Sequence, residues 1–323
     1  MFLLGTDPEL VLFDNSPEAT IKVVNALDYL NRNSNFGVDG HRYIAELRPE
    51  PAISPKELTD NIRRTLAFGN PVIRQFTWLS GAFKFQKPLG GHIHFGGITF
   101  NHAIATALDR YLPILLSHTE PREEAILRRT TNFYGGKPYG LLGDFRDKSW
   151  GFEYRTPSSF IVTPAITRGI LTAAKAIVLE ELESGSQSYF KIPSTLVKQL
   201  HFDKEDFYKL NLSKFKEKIP ILAKILFNMK YFSYNEGKAH KKYLYYLFDH
   251  PITKGYDANQ DIKISWKLFD KFFKEESKKT DNLIKSKFIL TSITNTEQPQ
   301  EALNNLVLNW DDLIDRTVFG EPL

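Results

Sequence analysis

Short runs in which apolar and polar positions alternate recur up to about residue 160, at residues 10–14, 41–49, 83–86, 90–100 and 150–157. Alternation with a period of two predicts half-buried strands. Between these runs the period lengthens to that of a helix. One helix is predicted from Ser54-Pro55-Lys56-Glu57, a capping box with proline in the first turn, and continues through Leu58, Ile62 and Leu66. A second runs from residue 101 to about 117, with Ile104, Leu108, Leu112 and Leu115 on one face. A third begins at Thr163-Pro164 and continues through Ile166, Ile170, Ala174 and Ile177 to about residue 182. The mixture predicts an α+β domain over residues 1–184. Beyond Glu183-Ser184-Gly185-Ser186 the pattern changes to lysine-rich amphipathic segments near 213–230, 238–248, 264–278 and 298–318. A boundary is therefore expected near 184–192, with a mainly helical subdomain over 185–323.

Within the strand-like runs, polar residues that hold metals or anions sit two positions apart: Asp7 and Glu9, Glu46 and Arg48, His92 and His94, Glu153 and Arg155. Residues i and i+2 of a strand point to the same side, so each pair projects from one face while Ile93 and Tyr154 turn to the other. Burying such a face without partners is costly, so a solvated or ligand-filled concave surface is expected. Carboxylates and imidazoles would coordinate a divalent cation, and the interspersed arginines would bind the phosphate that the cation binds. Gly90, Gly91, Gly96, Gly97 and Gly151 flank these positions, and glycine in a strand marks a bulge or a close approach.

Composition narrows the chemistry. The 323-residue chain has no cysteine, which removes disulfides, thiolate metal sites and cysteine nucleophiles. Its apolar runs are too short to span a bilayer, and a cytoplasmic protein is expected. A formal charge of +4 is too mild to imply nucleic acid on its own. Distribution is more informative: 13 of 14 arginines precede residue 170, whereas 22 of 28 lysines follow it. Arginine suits carboxylate and phosphate, and lysine is the usual solvated cation, so the chemistry is expected in the first half. The basic and aromatic clusters of the second half read as helix surface over an aromatic core, with a surface for an acidic substrate, nucleic acid or a partner as the sharper alternative.

A second dense stretch runs from Arg128-Arg129 through Gly135-Gly136-Lys137 to Gly143-Asp144-Phe145-Arg146. It reads as a loop in which Arg128, Arg129 and Lys137 would close over phosphates and Arg146 would add a further clamp. Arg128 and Lys137 read nearly as well as an exposed basic loop.

The motifs GTDPEL, AELRPEP, GGHIHFGG, YGLLGDFR and WGFEYRTPSS, in that order over residues 1–183, resemble the phage-encoded amidoligases, relatives of glutamine synthetase and glutamate–cysteine ligase. The resemblance implies an antiparallel sheet curved into a funnel, ATP, and Mg2+ or Mn2+. It implies metal ligands at Asp7, Glu9, Glu46, His92 and Glu153, with His94 near the nucleotide phosphates. Arg155 would bind the transferred phosphate or the substrate carboxylate. The substrates would be small-molecule or peptide acids and amines, joined through an acyl phosphate. No counterpart of the adenine-contacting elements and no match for the second half is found. Two alternatives stand beside it: a zinc hydrolase built on His92, His94, Asp7 and Glu153, and a non-catalytic phage protein, including a nucleic-acid binder.

Overall fold

The computed structural model describes residues 2–19, 22–38, 40–133, 136–184, 194–249 and 259–268. The chain divides into two compact units, Met1–Ile262 and Lys263–Leu323, and of the second only residues 263–268 are described. The boundary expected near 184–192 falls almost wholly on undescribed residues. The described helices after it, as far as Asp249, belong to the same compact unit as the sheets. The expected helix at 298–318 and most of that at 264–278 lie outside the described residues.

The first unit has the α+β architecture read from the sequence, with antiparallel sheets and flanking helices. Its elements are β1 (Leu3–Thr6), β2 (Glu9–Phe13), β3 (Phe36–Val38), β4 (Ala45–Leu47), α1 (Pro55–Ile73), β5 (Thr77–Leu79), β6 (Phe83–Lys84), β7 (Lys87–Pro88), β8 (Ile93–Gly96), α2 (His102–Thr119), α3 (Arg122–Thr130), β9 (Phe145–Lys148), β10 (Gly151–Tyr154) and α4 (Pro164–Ser184). There follow α5 (Ser194–Gln199), α6 (Lys204–Tyr208), α7 (Leu212–Lys216), α8 (Ile219–Phe227) and α9 (Asn235–Asp249). The caps behave as their chemistry requires. Ser54 Oγ accepts from Glu57 N at 3.0 Å at the start of α1, and Asn101 Oδ1 accepts from Ala103 N at 2.7 Å at the start of α2.

The polar pairs do not share one sheet. Strands β1-β8-β10-β9 form the first sheet and β3-β4-β2-β5 the second, and the chain passes between them at Asp7-Pro8. Proline has no N–H to give a ladder, which suits a point where the strand leaves one sheet for the other. In the first sheet Gly5, His94, Glu153 and Arg146 lie in one cross-strand row. The neighbouring row, Leu4, Phe95, Phe152 and Asp147, faces the other way, and Leu4, Phe95 and Phe152 are fully buried. Gly151 is required where it stands: its φ is +151°, and a Cβ there would lie 2.0 Å from the Phe95 carbonyl oxygen.

The stretch expected to be a loop is one among its described residues from 131 to 144, and only its two ends enter regular elements. Arg128 and Arg129 close α3, and Arg146 sits on β9, which forms a hairpin with β10. On the far side, α4 and α9 pack together over a core that includes Ile170, Ile177, Leu244 and Leu247.

Candidate active site

The first sheet brings Asp7, His92, His94 and Glu153 together. Asp7 follows β1, His92 precedes β8, and His94 and Glu153 are directly opposite each other on β8 and β10. His92 Nδ1 lies 2.9 Å from Asp7 Oδ1 and 3.2 Å from Glu153 Oε1, while His94 Nε2 lies 3.4 Å from Asp7 Oδ2. Ligand atoms of Asp7, His94 and Glu153 all fall within 4.8 Å of one another.

These contacts are close but poorly directed. Asp7 Oδ1, His92 Nδ1, His94 Nε2 and Glu153 Oε1 are buried and make no hydrogen bond among the described residues. Buried polar atoms are almost always hydrogen-bonded, so four such atoms converging is the signature of a site built for something else. Asp7, His94 and Glu153 bring donor atoms close enough to share one divalent cation, and His92 Nδ1 adjoins the two carboxylates.

The charges register the crowding. Burial would raise the Asp7 carboxyl, but His92 and then His94 reverse this and hold it well below the usual carboxylate range. Burial would lower His92, but Asp7 and then Glu9 raise it against the opposition of Arg155. The shift favours an imidazolium between these carboxylates, the sign of charge that a divalent cation would also supply there.

Around Glu153, which is 2% exposed, gather three further cations. Arg146 Nη1 donates to Oε2 at 3.3 Å, Lys148 Nζ lies 3.7 Å from the same oxygen, and Arg155 Nε lies 3.1 Å from Oε1. Arg146 is half exposed and Arg155 largely buried, so one carboxylate is ringed by cations that still reach outward. Arg155 also pairs with Asp144 at 3.4 Å.

Across the Asp7-Pro8 link, Glu9 and Glu46 are direct partners on β2 and β4. Like charges in that position repel, and each is answered separately. Glu9 Oε2 accepts from Gly90 N at 2.6 Å, and Glu46 Oε1 lies 2.6 Å from Arg48 Nε. Arg48 also donates to the carbonyls of Arg32 and Ser34, both at 3.0 Å, and so ties down the segment leading into β3.

Two expected phosphate-binding residues are corrected. Arg128 is fully buried and donates to the carbonyls of Arg155, Thr156 and Pro157 at 3.3, 2.8 and 2.9 Å. Arg129 is 2% exposed and bonds Glu120, which in turn accepts from Ser158 N at 3.1 Å. Both guanidinium groups act as internal struts, because α3 packs on β6 and α6 and Arg128 reaches from its end to the segment that follows β10. Lys137 is exposed beside Gly136.

Two residues escaped the sequence reading. Lys148 stands two positions after Arg146 on β9, a period-two signal hidden by taking this stretch as a loop. Tyr139, between Pro138 and Gly140, carries no periodic signal, yet its hydroxyl lies 2.5 Å from His92 Nε2, 3.3 Å from Arg155 Nη2 and 3.5 Å from Glu9 Oε1.

A family model described as phage phiEco32-like COOH.NH2 ligase-type 2 matches residues 4–268. The chain belongs to this family of carboxylate–amine ligases. The match extends well past the 183 residues of the sequence resemblance and takes in the lysine-rich segments as far as residue 268. No curated protein matches the chain. Among solved structures it is similar to a glutamate–cysteine ligase from Francisella tularensis in complex with AMP, with 10% identity, TM-score 0.45, and 96% and 98% of the two chains covered. A bifunctional glutathione synthetase from Pasteurella multocida gives 10% identity and TM-score 0.42, covering 83% of this chain but 48% of that one, so the chain spans about half of its length. The ligase PafA, in complex with the ubiquitin-like protein Pup, gives 10% identity and TM-score 0.42, with 85% and 69% covered. Among the described residues no helix is long and apolar enough to cross a membrane.

Proposed function

We propose that this ligase couples ATP cleavage to amide formation through an acyl phosphate, at a divalent-cation centre formed by Asp7, His92, His94 and Glu153. The observation that carries the proposal is the convergence of unsatisfied carboxylate oxygens and imidazole nitrogens beside a cluster of outward-reaching cations. Mg2+ or Mn2+ bound there would neutralise charge on a transferring phosphoryl group. Arg146, Lys148 and Arg155 would hold the phosphates and the substrate acid in line, their positions fixed by the pairing with Glu153. Glu9 and Glu46, on the adjoining sheet, are the acids for a further cation.

In the first step a substrate carboxylate oxygen attacks the γ-phosphorus, the bridging P–O bond breaks and ADP leaves. In the second the amine nitrogen attacks the acyl carbon, phosphate leaves, and the nitrogen's proton passes to a carboxylate of the site. The substrates are a small-molecule or peptide acid and an amine. An ATP requirement places the work in a cytoplasm.

Purified full-length protein incubated with Mg-ATP and a panel of amino acids, peptides and amines is expected to release ADP with a matching amide product by mass spectrometry. Absence of ADP release across the panel counts against the ligase reaction. Turnover that survives in Glu153→Gln sinks the site assignment. Stoichiometric zinc with ATP-independent amide cleavage would favour a hydrolase instead.

A further inference from the structure

Tyr139 occupies the point where the two sheets meet. A phenolic oxygen has one proton to donate and two lone pairs to accept with. Three partners surround it: His92 Nε2 at 2.5 Å, Arg155 Nη2 at 3.3 Å and Glu9 Oε1 at 3.5 Å. The guanidinium can only donate and the carboxylate can only accept. With Arg155 donating and Glu9 accepting, the remaining lone pair faces His92 Nε2, which must then carry a proton.

The hydroxyl is held there firmly. Tyr139 N donates to the Arg128 carbonyl at 3.0 Å, and the buried Arg128 guanidinium lies over the phenol ring at 4.7 Å. The next residue must be glycine: Gly140 has φ +75°, and a Cβ there would come within 1.7 Å of Arg128 Nη1. The His92 ring meets the Tyr139 ring edge-on at 5.7 Å.

We propose that Tyr139 is the positioning residue that makes Nδ1 of His92 the cation-facing nitrogen. By engaging Nε2 it leaves Nδ1 as the nitrogen directed at Asp7 Oδ1 and Glu153 Oε1. A histidine that ligates through one nitrogen is oriented by the hydrogen bond of the other. The same hydroxyl links this ligand to Glu9 on the second sheet, so the cation centre and the second-sheet acid are set by one group. The inference rests on the cation centre proposed above.

The test uses the full chain and metal alone. Mn2+ titration followed by electron paramagnetic resonance should show Tyr139→Phe binding roughly 10–100-fold more weakly than wild type, the usual effect of losing such a partner. Nitrogen NMR of 15N-histidine-labelled, Mg2+-loaded wild type should show His92 protonated at Nε2 and ligating through Nδ1. A wild-type spectrum with Nε2 as the ligating nitrogen overturns the role of Tyr139, and this readout does not depend on how the variant folds. Tyr139→Phe binding Mn2+ within about twofold of wild type overturns it as well. Wild type that binds no Mn2+ removes the cation centre itself and this inference with it, an outcome distinct from the other two.

Discussion

Two buried polar assemblies lie in the same compact unit and obey opposite rules. Between α4 and α9 most donors meet acceptors, Arg168 Nε and Thr172 Oγ1 being the exceptions among the described residues. Lys175 Nζ donates to Glu236 at 2.8 and 3.0 Å and to the Ile53 carbonyl at 2.7 Å, and Tyr231 donates to Glu236 and contacts His240 Nδ1 at 2.8 Å. Arg168 Nη1 donates to Tyr243 at 2.8 Å. On the face of the first sheet, Asp7 Oδ1, His92 Nδ1, His94 Nε2 and Glu153 Oε1 instead crowd together with no hydrogen bond among the described residues. Matched groups fasten helices, whereas unmatched ones are held in place by a fold that is stable enough to tolerate them. The contrast separates a part of the molecule that stabilises from the part proposed to react.

Glu153→Gln offers the largest break in that contrast. It removes an oxygen from the converging set and unbalances Arg146, Lys148 and Arg155, and ATP turnover measured by ADP release should fall roughly 10²–10³-fold or more. Lys175→Met should do the reverse, lowering unfolding free energy in urea titrations by about 1–3 kcal/mol while leaving Mn2+ affinity unchanged.

Asp109, behind the sheet, distinguishes fold from site through pH. Burial pushes its carboxyl up to about 6, with the Tyr154 hydroxyl hydrogen-bonded to it at 3.2 Å opposing the rise. Because the folded value lies above the unfolded one, its contribution to stability is fully present below pH 4 or so and is lost as pH rises through about 6. Asp109→Asn should therefore stabilise the protein by roughly 1–3 kcal/mol at about pH 8 and by little near pH 4, in denaturant titrations at the two values.

The imidazolium centre gives a smaller pH effect that depends on metal. Asp7, held low, contributes stability above about pH 4 that is lost on further acidification, and His92, held high, contributes below about pH 6.5 what is lost as pH rises through its folded value. Melting temperature of chelator-treated protein should accordingly decline from about pH 6.5 upward, and Mg2+ should reverse the decline. At the bottom of the scale, Lys209 pairs with Glu205 at 3.1 Å with both side chains about 70% exposed. Lys209→Ala should change unfolding free energy by less than about 0.5 kcal/mol.

Much of this was legible in the chain itself. The capping box of α1 and the apolar spacing of α1, α2 and α4 made these helices legible because those signals are local and the spacing repeats every three to four residues. The pairs at Asp7, His92, His94, Glu153 and Arg155 were visible for a similar reason, since strand alternation aims residues two apart in one direction. What alternation leaves open is which strands are neighbours. Glu9 and Glu46 belong to a second sheet, and only strand pairing decides that His94 faces Glu153.

The arginines mark the limit most clearly. Their type and number announce anion chemistry, but a guanidinium donates equally well to a phosphate, a carboxylate or a main-chain carbonyl. Arg128 and Arg129 meet carbonyls and Glu120 because the end of α3 lies against the segment that follows β10, and Arg146 reaches Glu153 because β9 pairs with β10. Tyr139 opens the YGLLGDFR motif, but its role was not legible in sequence because it lies in three partners contributed by residues 9, 92 and 155. Sequence determined which chemical groups the chain carries and which local elements display them. Tertiary structure decided which of those groups satisfy one another and which remain to bind something else, because satisfaction depends on distances between residues far apart in the chain.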